Sequence, residues 1–380
     1  MKDLITDPDR LLELEQGYRH EQLDALTWQP MTKAPISTGS GVIGCSWRVE
    51  KEFQPAYSYP EQFHDKEKML HVQMQKANYM RHRCIGRIPG VWAEFKGLIP
   101  TMFGAKLELM NDAASMEGLW YRHCEEDLEA IVDRGLPPLT AGLFPTIKEF
   151  TEYFRDHLPD GFYLGIPGLG EAFSWAVDIL GSQIYTEVYD RPELVHQFLN
   201  LITETMIMAD AALYKIAGYE RLDETWYLGG FVPGIMTEGD AVVGLSPQTI
   251  QEFVVPYLKK LAKGLDTKCF FHYCPNPKDT RDSYTRHPVE PIISAEEVVG
   301  FNSQPLGYWV YQDYYQKLKQ NRVGIHGYKP LPESYTDQEF VRWAEDMCAE
   351  TYGRSGINLT LRKVLSVEET RKLEEIWDTL

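Results

Sequence analysis

The sharpest chemical signal in the sequence is a histidine and a cysteine two residues apart. His272 and Cys274 close the run Lys268-Cys269-Phe270-Phe271-His272-Tyr273-Cys274, which Pro275 stops. A short apolar and aromatic run bounded by proline reads as a strand. In a strand, residues two apart project from the same face, so Phe270, His272 and Cys274 point together. An imidazole beside a thiol is half of a tetrahedral zinc site. Spacing alone equally describes a core histidine next to a buried free cysteine, a common small hydrophobe. A third ligand must come from another strand end, where Asp240, Glu238 and His326 are the candidates. Cys348 falls on a predicted helix and is a weaker one. Asp240 also reads as a solvated loop carboxylate, and His326 as a satisfied histidine.

Two further clusters carry potential chemistry. Aromatic residues make up 12% of the chain, including 9 Trp and 22 Tyr, so most of them must be core or surface filler. Trp226 and Tyr227 adjoin a predicted strand, and Trp309 lies in a stretch crowded with Tyr308, Tyr311, Tyr314 and Tyr315. Trp226, Tyr227 and Trp309 are the candidates to line an apolar pocket for a flat or methylated substrate. The segment Met80-Arg81-His82-Arg83-Cys84-Ile85-Gly86-Arg87 holds an arginine trio. Such a trio can clamp carboxylates bidentately. The commoner reading, a solvated helix face followed by a turn, is the one adopted.

Elements that position these residues are readable from periodicity. Helical spacing covers 65–79, 145–158, 171–180, 192–214, 246–265 and 338–352. Strand signals fall at 90–95, 161–166, 226–229, 268–274, 322–325 and 357–359. Ser246-Pro247 reads as an N-cap followed by proline in the first helical position, and Ser366 with Glu369 has capping-box spacing. Residues 1–75 read as a polar, aromatic-dotted N-terminal extension or cap, and Ser37-Thr38-Gly39-Ser40-Gly41 as a turn-rich stretch. Strands alternating with helices predict a parallel sheet over residues 76–380, and short apolar strands predict cover on both faces. A closed barrel and an open doubly wound sheet both satisfy this. No G-x-G-x-x-G follows an early strand, so a dinucleotide-binding fold has no support.

Composition narrows the partners. The net charge of −18 lacks the basic footprint that nucleic acids and anionic membranes require. Six scattered cysteines do not form a disulfide framework and suit a reducing compartment. The N-terminus MKDLITDPDRLLELEQGYRHEQ has no apolar signal region, and there is no run of about 18 apolar residues. A soluble, cytoplasmic protein is expected.

Several stretches together resemble the uroporphyrinogen decarboxylase superfamily. Tyr189-Asp190-Arg191-Pro192-Glu193-Leu194-Val195-His196 resembles the helix start after the family's central strands. Gly239-Asp240, then Gly244-Leu245-Ser246-Pro247 and Phe253-Val254-Val255-Pro256-Tyr257-Leu258-Lys259-Lys260, resemble its acidic, L-S-P and P-Y-x-K segments. Phe271-His272-Tyr273-Cys274 resembles the strand that follows, and the likeness spans roughly 135–380. It implies a (β/α)8 TIM barrel, here with an N-terminal extension, whose active site lies at the C-terminal rim.

Within the superfamily the chain is similar to the corrinoid-dependent (cobamide) methyltransferases, which hold zinc with a His-x-Cys pair and a later cysteine. That similarity implies Zn2+ on His272 and Cys274. Where the later cysteine is expected, this chain has Ser355-Gly356-Ile357; a zinc with fewer thiolates suits an oxygen ligand, and Asp240 is taken as third ligand from the candidates Asp240, Glu238 and His326. It further implies transfer of a methyl group from a methylated small molecule to the Co(I) of a separate corrinoid (cobalamin) protein, with Asp240 and His326 as catalytic candidates. The alternatives are a decarboxylase like the family's namesake, whose M-R-Q-A-G-R-Y segment is matched only at Arg83, Gly86 and Arg87, and a non-catalytic barrel subunit. A homodimer is one assembly open to the chain.

Overall fold

The computed structural model describes residues 8–39, 53–111, 113, 118–167, 170–227, 229–273, 289–303, 307–327, 331–332, 334–361 and 364–379. Among the described residues, eight parallel strands follow one another in chain order: β1 (Ile36–Thr38), β2 (Gly90–Trp92), β3 (Tyr163–Gly165), β4 (Ile235–Glu238), β5 (Cys269–Tyr273), β6 (Val298–Ser303), β7 (Gly324–Gly327) and β8 (Ile357–Leu361). β4 to β8 pair in sequence and β8 pairs back onto β1, forming a six-stranded sheet. β2 pairs with β3. The two remaining joints are made just outside the strands: Thr38 N–H donates to Ile85 O, and Glu171 N–H donates to Glu238 O at 2.9 Å. This is the cyclic order of a (β/α)8 barrel.

Several of the covering helices carry an apolar stripe in their sequence. In Pro192–Ala217 the stripe is Val195, Phe198, Leu199, Ile202, Met206, Ala209 and Leu213, all buried. Proline occupies the first helical position, and Gly218 ends the helix at φ 89°, a left-handed cap that glycine takes without strain. Ser246 accepts from Thr249 N–H as N-cap, and Ser366 and Glu369 exchange the two hydrogen bonds of a capping box.

Three expectations change. The N-terminal residues do not stand apart as an extension or cap. Residues 36–38 supply β1, and helix Pro8–Leu26 packs at the N-terminal ends of β7 and β8, where Gly356 N–H donates to Ala25 O. The expected boundary at residue 75 falls inside helix Lys66–Arg83. A three-residue strand between Pro35 and Gly39 offers too little alternation to be told from a turn.

Second, residues 224–233 form an antiparallel hairpin, Glu224–Tyr227 against Gly230–Pro233. The stretch between the strand signal at 226–229 and Asp240, which gave no strand signal of its own, therefore contains a hairpin strand and β4. Gly234, at φ 73°, joins them where a Cβ would lie 2.3 Å from Lys268 O. Third, the strands are not apolar throughout. On β5 to β8 the residues facing the helices are apolar (Phe271, Phe301, Ile325, Ile357, Leu359), whereas the other face turns polar towards the C-terminal ends.

Candidate functional site

Register defines the site. Glu238 of β4 pairs with His272 of β5, His272 with Asn302 of β6, Asn302 with His326 of β7, and His326 with Asn358 of β8. Partners in parallel register share a face, so five consecutive strands present one polar row, which lies towards the C-terminal ends of β4 to β7 and at the start of β8. The row faces the barrel interior, because His326 feels the charges of both Arg87 and His272, groups from separate sectors of the ring. One layer below, Phe270 fills the space above Gly300, where a Cβ would meet its ring at 2.0 Å. Glu238 is exposed and marks the opening, whereas His272, Asn302, His326 and Asn358 are buried.

Tyr227 closes over this end of the row. Its phenol donates to Glu238 Oε1 at 2.7 Å, and its ring centroid lies 6.2 Å from that of His272. Tyr227 is thus placed beside the candidate histidine. Trp226 is not at the opening: it is 7% exposed, donates from Nε1 to Ile88 O at 3.0 Å, and packs on Gly90 and Gly165. It serves as a packing residue of the barrel interior. Trp309 belongs to helix Gly307–Asn321, but its side chain lies outside the described residues, as does Cys274.

Asp240 follows β4 in an exposed turn, Asp240–Gly244, and its charge acts on Asp178 of helix Ala172–Leu180. Glu238, not Asp240, is the carboxylate in register with His272. Cys348 is fully buried on its helix, and burial pushes its thiol up.

Burial governs the titrating groups. His326 is driven down to about 3 by desolvation first, then by Arg87 and His272, so it is a neutral imidazole at physiological pH. Both its ring nitrogens lack a hydrogen-bond partner among the described residues. Arg87 is 2% exposed and donates from Nε to Thr38 O at 2.8 Å. Burial lowers it to about 10, which leaves it cationic at neutral pH. The expectation of a solvated arginine trio is therefore corrected for Arg87, and Arg81 makes a bidentate pair with buried Glu15.

Sequence reasoning also missed two carboxyls at the rim. Glu171 is pushed up to about 7 by burial, although Phe173 N–H and Ser174 N–H donate to it as N-cap partners. Asp178 is pushed up to about 6 by burial, against Lys96 and His123. Nothing local in the sequence signals either, because both depend on packing between distant elements.

For zinc, the described donors are His272 and its register neighbour Glu238, a nitrogen and an oxygen of the types the ion takes. No three His, Cys, Asp or Glu side chains among the described residues gather at one point. The third candidate donor, Cys274, lies outside the described residues. Among the described residues, no helix is long and apolar enough to cross a membrane, and Cys84, Cys124, Cys269 and Cys348 form no disulfide.

Comparison with known proteins agrees with the fold. A uroporphyrinogen decarboxylase of Xanthomonas axonopodis pv. citri (strain 306) is 29% identical over 177 residues, 44% of either chain, so the match spans less than half of that relative. A methyltransferase from Methanosarcina mazei superposes with TM-score 0.60 at 15% identity, covering 95% of this chain and 98% of its own. A B12-independent methionine synthase from Shewanella sp. W3-18-1 gives TM-score 0.45 at 10% identity, with 91% and 96% covered. No family model matches the chain. The chain resembles uroporphyrinogen decarboxylase over that stretch, and the superposition on the Methanosarcina protein agrees with the fold.

Proposed function

We propose that the chain is a methyltransferase that takes a methyl group from a small methylated molecule, a methoxylated arene being the form suited to the Tyr227 ring beside His272. The acceptor is Co(I) of a corrinoid carried by a separate protein. The observation that carries this reading is the register pair Glu238–His272 at the C-terminal rim, beneath Tyr227. Zinc, held by His272, Cys274 and a carboxylate of Glu238 or Asp240, would supply Lewis acidity towards the donor's ether oxygen.

The chain's own groups do the positioning. Tyr227 O–H fixes the Glu238 carboxylate, and the ring beside His272 excludes water from one side. When the carbon–oxygen bond breaks, its electron pair stays on oxygen, while cobalt supplies the pair that bonds the methyl carbon. The departing oxygen needs a proton, and Asp240, exposed at the rim, relays it from solvent. His326 is suited to hydrogen bonding within the pocket, because burial keeps it neutral. A cytoplasmic setting accords with the four described cysteines being outside disulfides.

The test is direct: protein, zinc, a methoxylated phenol and a reduced corrinoid protein are incubated, and the demethylated phenol is measured by mass spectrometry. Absence of that product with zinc bound refutes the reading. A second reading, decarboxylation of a carboxylate-rich tetrapyrrole, is favoured by the relative above and by buried Arg87. Carbon dioxide release from uroporphyrinogen would decide for it.

A further inference from the structure

Three neighbouring members of the polar row share an unusual condition. Asn302, His326 and Asn358 are 2%, 4% and 1% exposed, yet Asn302 Oδ1, both ring nitrogens of His326, and both Oδ1 and Nδ2 of Asn358 have no hydrogen-bond partner among the described residues. Buried polar atoms are nearly always satisfied, by protein, water or ligand, because leaving one unmade costs its full desolvation. One such atom is an oddity. Five on three strands in strict register, a strand spacing of about 4.8 Å apart, form a built surface.

We propose that Asn302, His326 and Asn358 form a subsite that binds an uncharged, hydroxyl-bearing part of the small-molecule ligand beside His272. The chemistry selects this class. Each carboxamide offers an N–H donor and a C=O acceptor, and a neutral imidazole offers one of each. Burial, with the charges of Arg87 and His272, keeps the imidazole neutral, so none of these three side chains carries a charge. A carboxylate can only accept, which leaves the amide oxygens facing negative charge. An ammonium can only donate, which leaves the amide N–H groups unmade. A hydroxyl both donates and accepts, and matches adjacent members of the row without carrying a charge into a buried place. Ordered water fills such a surface when no ligand is present, and the ligand's hydroxyls take over those hydrogen bonds.

This rests on the proposed function only in taking the ligand to be a methyl donor, and the experiment separates the two. Isothermal titration calorimetry of the full chain at neutral pH, without corrinoid, compares guaiacol with anisole, which lacks the hydroxyl, and 2-methoxybenzoate, which replaces it with a charge. Guaiacol is expected to bind at least about tenfold more tightly than either, the effect of one well-made buried hydrogen bond. Asn302→Leu and His326→Leu should each reduce that preference to less than about threefold, whereas His326→Gln, which keeps a donor and an acceptor, should retain it. Equal binding of 2-methoxybenzoate, a preference that survives the leucine variants, or binding of none of the three overturns the subsite. Should the leucine variants fail to fold, the wild-type ligand series and His326→Gln still decide. Guaiacol held by the row but never demethylated would overturn the proposed function and leave the subsite standing. Transfer from charged donors only would do the reverse.

Discussion

Gly90→Ala is the most informative single change in the barrel. Gly90 is in β2 with an ordinary strand backbone, so alanine adds no conformational strain, only a methyl group. That methyl carbon would lie 2.4 Å from Cε2, 2.6 Å from Cζ2 and 2.8 Å from Nε1 of Trp226. Ordinary carbon contacts begin near 3.5 Å, so the indole must retreat by about 1 Å. It has little room to do so, because it is 7% exposed and tied by Nε1–H to Ile88 O, and Gly165 holds its other edge with a notional Cβ at 2.7 Å. Overpacking of this kind costs about 2–3 kcal/mol. Urea denaturation of wild type, Gly90→Ala, Trp226→Phe and the double variant measures it. Trp226→Phe alone should be destabilising through the space it leaves, and the double variant should be more stable than the sum of the singles predicts, by about 1–2 kcal/mol. A Gly90→Ala protein as stable as wild type, or additive effects, would refute the placement of Trp226 as interior packing and return it to the candidate ligand-binding residues.

Other predictions follow from the buried titrating groups and the rim. The Glu171 carboxyl rises from 4.5 to about 7 on folding, so its contribution to stability is greatest below 4.5 and is lost as pH rises through 7. Glu171→Gln should cost stability at pH 4.5 through the weakened cap, with the deficit shrinking by up to about 3 kcal/mol by pH 8; a deficit independent of pH contradicts the shift. His326 behaves oppositely: its folded value is depressed, so its stabilising effect is present above 6.5 and is lost as pH falls towards 3. Acid titration should therefore unfold wild type at higher pH than His326→Gln, as followed by circular dichroism. Tyr227→Phe removes the donor to Glu238, and should lower kcat about tenfold with little change in KM; an unchanged kcat would detach Tyr227 from the reaction.

How far the sequence spoke depended on the range of the interactions involved. The long helices were legible because a stripe such as Val195, Phe198, Leu199 and Ile202 is a local pattern, and caps such as Ser246 and Ser366 announce themselves within four residues. Strand β5 was legible from its aromatic run. β1 and β4 were not, since three or four residues bounded by proline or glycine carry no readable period, and their identity as strands comes from hydrogen bonds to β8 and β5. At the site, His272 was readable and Glu238 was weighed only as one of three candidates for the third ligand. Its rank follows from register, which no local pattern encodes. The burial of Arg87, Asn302 and Asn358 was invisible for the same reason: each is polar, and only the closing of the ring of strands takes it out of water.

The account turns on the cation that His272 is proposed to hold. Inductively coupled plasma mass spectrometry on protein purified without chelator, with X-ray absorption at the zinc edge, tests it most directly. One zinc per chain with mixed nitrogen, oxygen and a single sulfur neighbour is predicted, with the sulfur lost in Cys274→Ala and the metal lost in His272→Ala. A wild-type protein that takes up no zinc when it is supplied, or a zinc whose neighbours are unchanged in both variants, contradicts the account.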